Sequence, residues 1–150
     1  MLTYRLPREP STPRIALWRA LKRLGAVQVV DGAVALPADA RTREQLGWLA
    51  QQVTDSGGQA IVWDAAPASR TEQRQLTERV LTGSAAEYAA IEQAAGGAAD
   101  LPQPERRRLV AKLRRDLRAV RRRDFFGAPE RRAAERAVDL LAETAAEVPA

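Results

Sequence analysis

Leu2, Tyr4 and Leu6 alternate with Thr3 and Arg5 at the head of the chain, the period-two pattern of a half-buried strand. Pro7 and Pro10 interrupt it. From Thr12 the period lengthens. Leu17, Leu21 and Leu24 share one helical stripe with Trp18 beside it, and Arg19, Lys22 and Arg23 lie mostly off it. Thr12 followed by Pro13 predicts an N-cap and first turn, where proline's missing N–H costs no hydrogen bond, and Gly25 predicts the stop. Two short apolar runs follow, Val27 to Val30 and Ala33 to Leu36, joined by the hairpin dipeptide Asp31-Gly32.

A second helix is predicted from Thr42, with Thr42 and Gln45 as a capping box and Leu46, Leu49, Ala50 and Val53 as its core stripe. Gly57-Gly58 ends it, and Gln59 to Asp64 reads as a strand with apolar residues on both faces. The order strand, helix, strand, strand, helix, strand predicts a ferredoxin-like βαββαβ domain over residues 1–64, an antiparallel sheet covered on one face by two helices.

Residues 65–150 carry only the helical period. Ser69 and Glu72 form a capping box ahead of a long helix marked by Leu76, Val80, Tyr88 and Ile91 and weakened at Gly83-Ser84. Beyond Gly96-Gly97, Pro104 opens a helix with Leu109, Leu113, Leu117 and Val120. A turn at Phe125–Pro129 leads to another with Ala134, Val138, Leu141 and Ala145. The fold class is therefore α+β, with a C-terminal helical hairpin or small bundle beside the sheet. The alanine-rich stripes predict that the two halves share surface. Trp18 and Trp63 read as core. Trp48, about 200° around its helix from Leu46, reads as packing beneath the C-terminal helices or stacking in a dimer or ligand contact. Phe125-Phe126 reads as a hydrophobic anchor for the last helical turn.

Composition narrows the chemistry. The chain has no cysteine and no histidine, which removes thiol chemistry, the commonest metal ligand and the commonest general base at neutral pH. No catalytic residue, metal or cofactor is expected, and the chain reads as non-enzymatic. There is no long apolar run and no basic-then-apolar start, so no membrane segment is expected and a cytoplasmic location is. The net charge of +5 is uneven. Residues 1–64 carry 8 basic and 6 acidic residues, residues 65–100 carry 3 and 5, and residues 101–150 carry 13 and 8. An anionic partner would find its charge in the last third. The bland alternative is arginine on solvated faces, since only Lys22 and Lys112 of the 24 basic residues are lysines.

The blocks Tyr4-Arg-Leu-Pro-Arg-Glu-Pro-Ser11, Arg14–Arg19, Leu24–Val27, Asp31-Gly32, Leu36-Pro37, Thr42–Leu46 and Trp48–Ala50 resemble the N-terminal domain of the chromate-resistance regulators usually called ChrB. Glu87-Tyr88 and Arg123-Asp-Phe-Phe-Gly127 resemble that family too. The resemblance implies a ferredoxin-like module tied to chromate-responsive transcription. Longer members carry a second domain after it, so this chain looks like a stand-alone N-terminal module. The module is also distantly similar to the CRISPR spacer-acquisition nuclease and to a domain of phenylacetate-pathway repressors. Such nucleases hold a metal with an aspartate ending the first strand. Leu2–Leu6 contains no acid, and Arg5 would repel the ion.

Two sites are predicted. Arg5, Arg8 and Arg14 bracket the first helix, with Thr12 and Ser11 offering hydroxyls, and guanidinium forks suit tetrahedral oxyanions such as phosphate, sulfate or chromate. The alternative is that Thr12 merely caps, Arg8 pairs with Glu9 or another carboxylate, and Arg14 is solvated. The second site is the basic run from Arg106 to Arg123, in which Arg107, Arg114, Arg118 and Arg121 share a side and could track a DNA backbone without reading bases. Alternatively the run pairs with Glu72, Glu78, Glu87 and Glu92. The expected function is a homodimeric, DNA-binding transcriptional regulator of chromate resistance, with an oxyanion effector. The rival is a non-catalytic protein-interaction module.

Overall fold

The computed structural model describes residues 1–146. The chain forms β1 (Leu2–Arg5), α1 (Thr12–Leu24), β2 (Val27–Val30), β3 (Ala33–Ala35), α2 (Ala40–Asp55), β4 (Gln59–Val62), α3 (Arg70–Gly96), α4 (Gln103–Arg123) and α5 (Arg131–Ala146). Among the described residues the architecture is α+β, with one four-stranded antiparallel sheet and five helices. It divides into two compact units, Met1–Arg79 and Val80–Ala150, with α3 passing from one to the other.

In the first unit the strands lie in the order β2-β3-β1-β4. Leu2 pairs with Val34 on one side and Val62 on the other, and Arg5 pairs with Gln59. The alternation at the head of the chain therefore buries Leu2 fully and leaves Arg5 outside. The β2–β3 hairpin forms with an irregularity between Gln28 and Val30. A bulge breaks the side-to-side alternation, and Val29 and Val30 both end up exposed. Gly32 lies at φ +74°, and a Cβ there would stand 2.6 Å from the Tyr4 carbonyl oxygen, so the turn admits only glycine.

The helix starts differ from the sequence reading. Ser11, not Thr12, is the residue before α1, and no side chain caps it. Helix α2 begins two residues before Thr42. Asp39 is its cap and Thr42 is the reciprocal partner, since the Asp39 carboxylate accepts from Thr42 N–H at 2.7 Å and Thr42 Oγ1 accepts from Asp39 N–H. The Thr42 N–H holds the Asp39 carboxyl below its usual range. The Ser69–Glu72 box ahead of α3 forms as expected. All three tryptophans are exposed, which corrects the assignment of Trp18 and Trp63 to the core. Trp63 stays half out, where its indole N–H donates to Thr3 Oγ1 at 2.8 Å.

The second unit has a core of its own. Tyr88 and Ile91 of α3, Val110, Leu113, Leu117 and Val120 of α4, and Ala134, Val138, Leu141 and Ala145 of α5 pack into one cluster. The alanine-rich stripes find partners in one another, since small side chains let helices approach closely enough to exclude water. Gly83-Ser84 does not weaken α3, which runs unbroken with Ser84 buried. Phe126 is about half exposed and is not the hydrophobic anchor its position suggests.

Candidate functional site

Three loops meet at one end of the sheet and leave a cleft of about 1090 Å³. Its walls are Tyr4 and Arg5 at the end of β1, Leu6 to Arg8 in the following loop, the outer face of α1, the β2–β3 turn at Asp31-Gly32, and Gly57 to Gln59 before β4. Local chemistry builds this shape. Pro7 and Pro10 stand just beyond the end of β1 at Arg5, where the missing N–H groups prevent the strand from continuing. The Tyr4 N–H donates to the Gly32 carbonyl at 2.7 Å, which holds the hairpin turn against β1. Gly58 lies so close to β1 that a Cβ would meet the Arg5 carbonyl oxygen at 2.4 Å.

Arg5, Arg8 and Arg14 all line this one cleft. All three are exposed and their guanidinium groups make no ion pair or hydrogen bond with the described residues, so the alternative pairing of Arg8 with Glu9 or another carboxylate is not realised, while Arg14 is exposed as that alternative has it. Thr12, grouped with them in the sequence, does not line the cleft; Ser11 does. The acid in the wall is Asp31, whose carboxylate accepts from the Gln28 side-chain amide at 3.2 Å.

Sequence reasoning missed the other half of the wall. Ser11, Arg14, Ile15 and Trp18 recur at i, i+3, i+4 and i+7 and so share a face of α1, distinct from the buried Leu17–Leu21 stripe. Ile15 and Trp18 are 46% and 58% exposed. Lys22, one turn on, places its ammonium 5.1 Å from the Trp18 ring centre, a cation–π contact. The spacing is present in the sequence, but an aromatic beside a leucine stripe reads as core until the neighbouring surface is seen.

The basic helix α4 lies in the second unit. Of its predicted DNA-facing residues, Arg107 donates to the Ala145 carbonyl at 3.1 Å and Arg121 stands 3.8 Å from Glu135, so both are drawn toward α5. Arg114 and Arg118 are exposed, without an ion pair among the described residues. The residues opposite the buried stripe are Arg108, Arg115 and Arg122, spaced about 10.5 Å apart along the axis by their seven-residue interval. Lys112 pairs with Asp116 at 2.8 Å.

The motif pieces Glu87-Tyr88 and Arg123-Asp124 come together. Arg123 forms an ion pair with Glu87, its Nε donating to Oε1 at 3.0 Å. The Tyr88 hydroxyl donates to Asp124 Oδ2 at 3.2 Å, and Asp124 Oδ1 accepts from the Ala128 N–H at 2.9 Å. Burial, with the Asp124 charge beside it, pushes the Tyr88 phenol up to about 12. This network pins the α4–α5 turn to α3 within the unit. The alternative that α4 pairs with α3 acids thus holds for Glu87.

Among the described residues, no group of three or more acidic side chains converges as a metal site, and no helix is long and apolar enough to cross a membrane. The family model described as Protein ChrB, N-terminal, matches residues 14–148. Protein ChrB of Cupriavidus metallidurans is 31% identical over 130 residues, which cover 84% of this chain and 40% of that protein. The chain thus spans well under half the length of this curated relative. No solved structure matches it significantly. With the family match running from Arg14 to within two residues of the end, and with the motif pieces of α3 and α4 joined in the fold, the chain belongs to the ChrB N-terminal family.

Proposed function

We propose that this chain is the non-enzymatic, DNA-binding regulatory module of a chromate-resistance protein, acting in the cytoplasm as a homodimer. The observation that carries the reading is the outward side of α4, where Arg108 and Arg115 lie opposite the buried apolar stripe, Arg114 and Arg118 flank it, and all four are exposed. A rigid helix presenting guanidinium groups in rows matches a phosphate backbone electrostatically. Chromate association comes from membership of the ChrB family. The βαββαβ element order and the β2-β3-β1-β4 strand order support a ferredoxin-like sheet. Its exposed Val30, Ile61 and Trp63 favour pairing of two copies. The cleft with Arg5, Arg8 and Arg14 is the receptor for an anionic effector.

Fluorescence anisotropy tests this reading with the gene's own upstream DNA and a scrambled duplex, near physiological salt, with chromate or sulfate added. Preference for the upstream DNA, released by chromate and not by sulfate, is expected. Changing Arg114 and Arg118 together to alanine should weaken binding and flatten its salt slope by about 0.9 for each phosphate no longer neutralised. Unchanged binding in that variant removes α4 from the interface. Equal, weak binding to both duplexes favours the protein-interaction reading, which exposed Trp48 and Leu140 also support.

A further inference from the structure

We propose that the ligand of the α1 cleft is a nucleoside phosphate, with its phosphate on Arg5, Arg8 and Arg14 and its base against Trp18 and Ile15. This rests on reading the cleft as the anion site and goes further by naming its resident ligand, whose phosphate chromate mimics on the three arginines. Size is the first argument. A bare tetrahedral oxyanion takes up little more space than a few water molecules of about 30 Å³ each. The cleft measures about 1090 Å³, just above the roughly 300–1,000 Å³ typical of sites for drug-sized organic ligands.

The distribution of polarity is the second argument. Along the cleft face of α1 the charged end comes first, at Ser11 and Arg14, and the apolar end follows at Ile15 and Trp18. The step from Arg14 to Trp18 is about 6 Å along the axis. A ligand matching that face has an anionic head and a flat apolar body about one helical turn away. An exposed indole next to unpaired guanidinium groups is a poor surface for water and a good one for stacking a planar ring. Lys22 stands over the Trp18 ring and adds positive charge beside it.

The remaining polar wall selects among amphipathic anions. Gln28, Asp31 and Gln59 offer both donors and acceptors along the hairpin and β4 side. A fatty acid or an aryl sulfonate has no hydrogen-bond donors to offer the second oxygen of the Asp31 carboxylate, whose first accepts from Gln28. A nucleoside phosphate has them, on its sugar hydroxyls and its base. The three arginines answer its phosphate, the indole its base, and the Asp31–Gln28 pair its sugar or base edge.

Isothermal titration calorimetry of the whole chain tests this with AMP, inorganic phosphate, chromate, adenosine and a short single-stranded oligonucleotide. AMP should bind roughly ten- to hundredfold more tightly than inorganic phosphate, the gain expected from stacking one base on an aromatic ring. Trp18→Leu should reduce AMP to the affinity of phosphate, and Arg8→Ala with Arg14→Ala should abolish binding of both. These side chains are exposed, and a thermal melt of each variant checks that it folds. Phosphate or chromate binding as tightly as AMP overturns the proposal while leaving an anion site in place. No binding of any anion overturns both. An oligonucleotide binding far more tightly than AMP overturns it in favour of a nucleic-acid channel, and an unaffected Trp18→Leu removes the indole from the site.

Discussion

Thirteen of the described residues of the helical unit form a single buried cluster, beside which Glu87 pairs with Arg123 and Tyr88 with Asp124. The sheet unit does the opposite. It buries Leu2, Val34, Leu46, Leu49 and Val53 but leaves three tryptophans, Ile15 and Ile61 facing outward and three arginines in its cleft without partners. Which side chains are available to a ligand follows from that contrast. Where a helix stripe is satisfied by another stripe, the aromatics and charges along its seam become structural, while Arg114 and Arg118 on the outer side of α4 stay exposed. Where a loop holds two elements apart, the same residue types are left facing a cavity.

The contrast is upset most severely in the helical core. Leu113→Ala removes a fully buried side chain of α4 and should cost about 2–5 kcal/mol in urea denaturation followed by circular dichroism. Trp48→Ala, at an exposed position of the sheet unit, should stay within about 0.5 kcal/mol despite deleting a larger side chain. Equal losses would mean that Trp48 is covered in solution.

Gly58→Ala comes next, because its Cβ would press on the Arg5 carbonyl and on Val53. Overpacking there should cost about 1–3 kcal/mol and shift Arg5 at the cleft edge, read as a change in anion affinity alongside the lower melting temperature.

Tyr88→Phe should cost about 1 kcal/mol through the lost hydrogen bond to Asp124. The variant also separates the two units by pH. The folded Tyr88 phenol titrates at about 12, above its ordinary value near 10, so folding favours the neutral form. Its contribution is fully present below about pH 10 and is lost as pH rises through about 12. A stability profile across that range should fall for the native chain and flatten for Tyr88→Phe.

The smallest effect is acidic and belongs to the sheet unit. Asp39 is held below its usual value by the Thr42 N–H, so its contribution is present above about pH 4 and disappears as pH falls through the folded value. Asp39→Ala should lower the melting temperature at neutral pH and have no effect once the carboxyl is protonated.

The elements themselves are legible from residues alone. Leu113, Leu117 and Val120 in α4 and Ala134, Val138, Leu141 and Ala145 in α5 are all buried where the helical period puts them. Asp31-Gly32 turns the chain between β2 and β3. Helix starts are less legible, because Asp39 and Thr42 are both good capping residues and only the backbone path decides which one precedes the first turn. Nearness to the start of α1 groups Arg5, Arg8 and Arg14, which do line one cleft, but it groups Thr12 with them on the same ground, and Thr12 does not reach the cleft wall. Helical angle cannot tell Arg107 and Arg121 from Arg114 and Arg118, since what separates them is the reach of Ala145 and Glu135 on α5.

The α+β class, the order of elements, the family and the concentration of charge on α4 are written along the chain, because each follows from local period, turn chemistry or composition. Three features come instead from folding in three dimensions: Trp18 faces a cleft, Glu87-Tyr88 meets Arg123-Asp124, and Arg107 and Arg121 are held while Arg114 and Arg118 are not. Burial and pairing depend on which distant segment occupies the space beside a side chain, and no period along the chain records that.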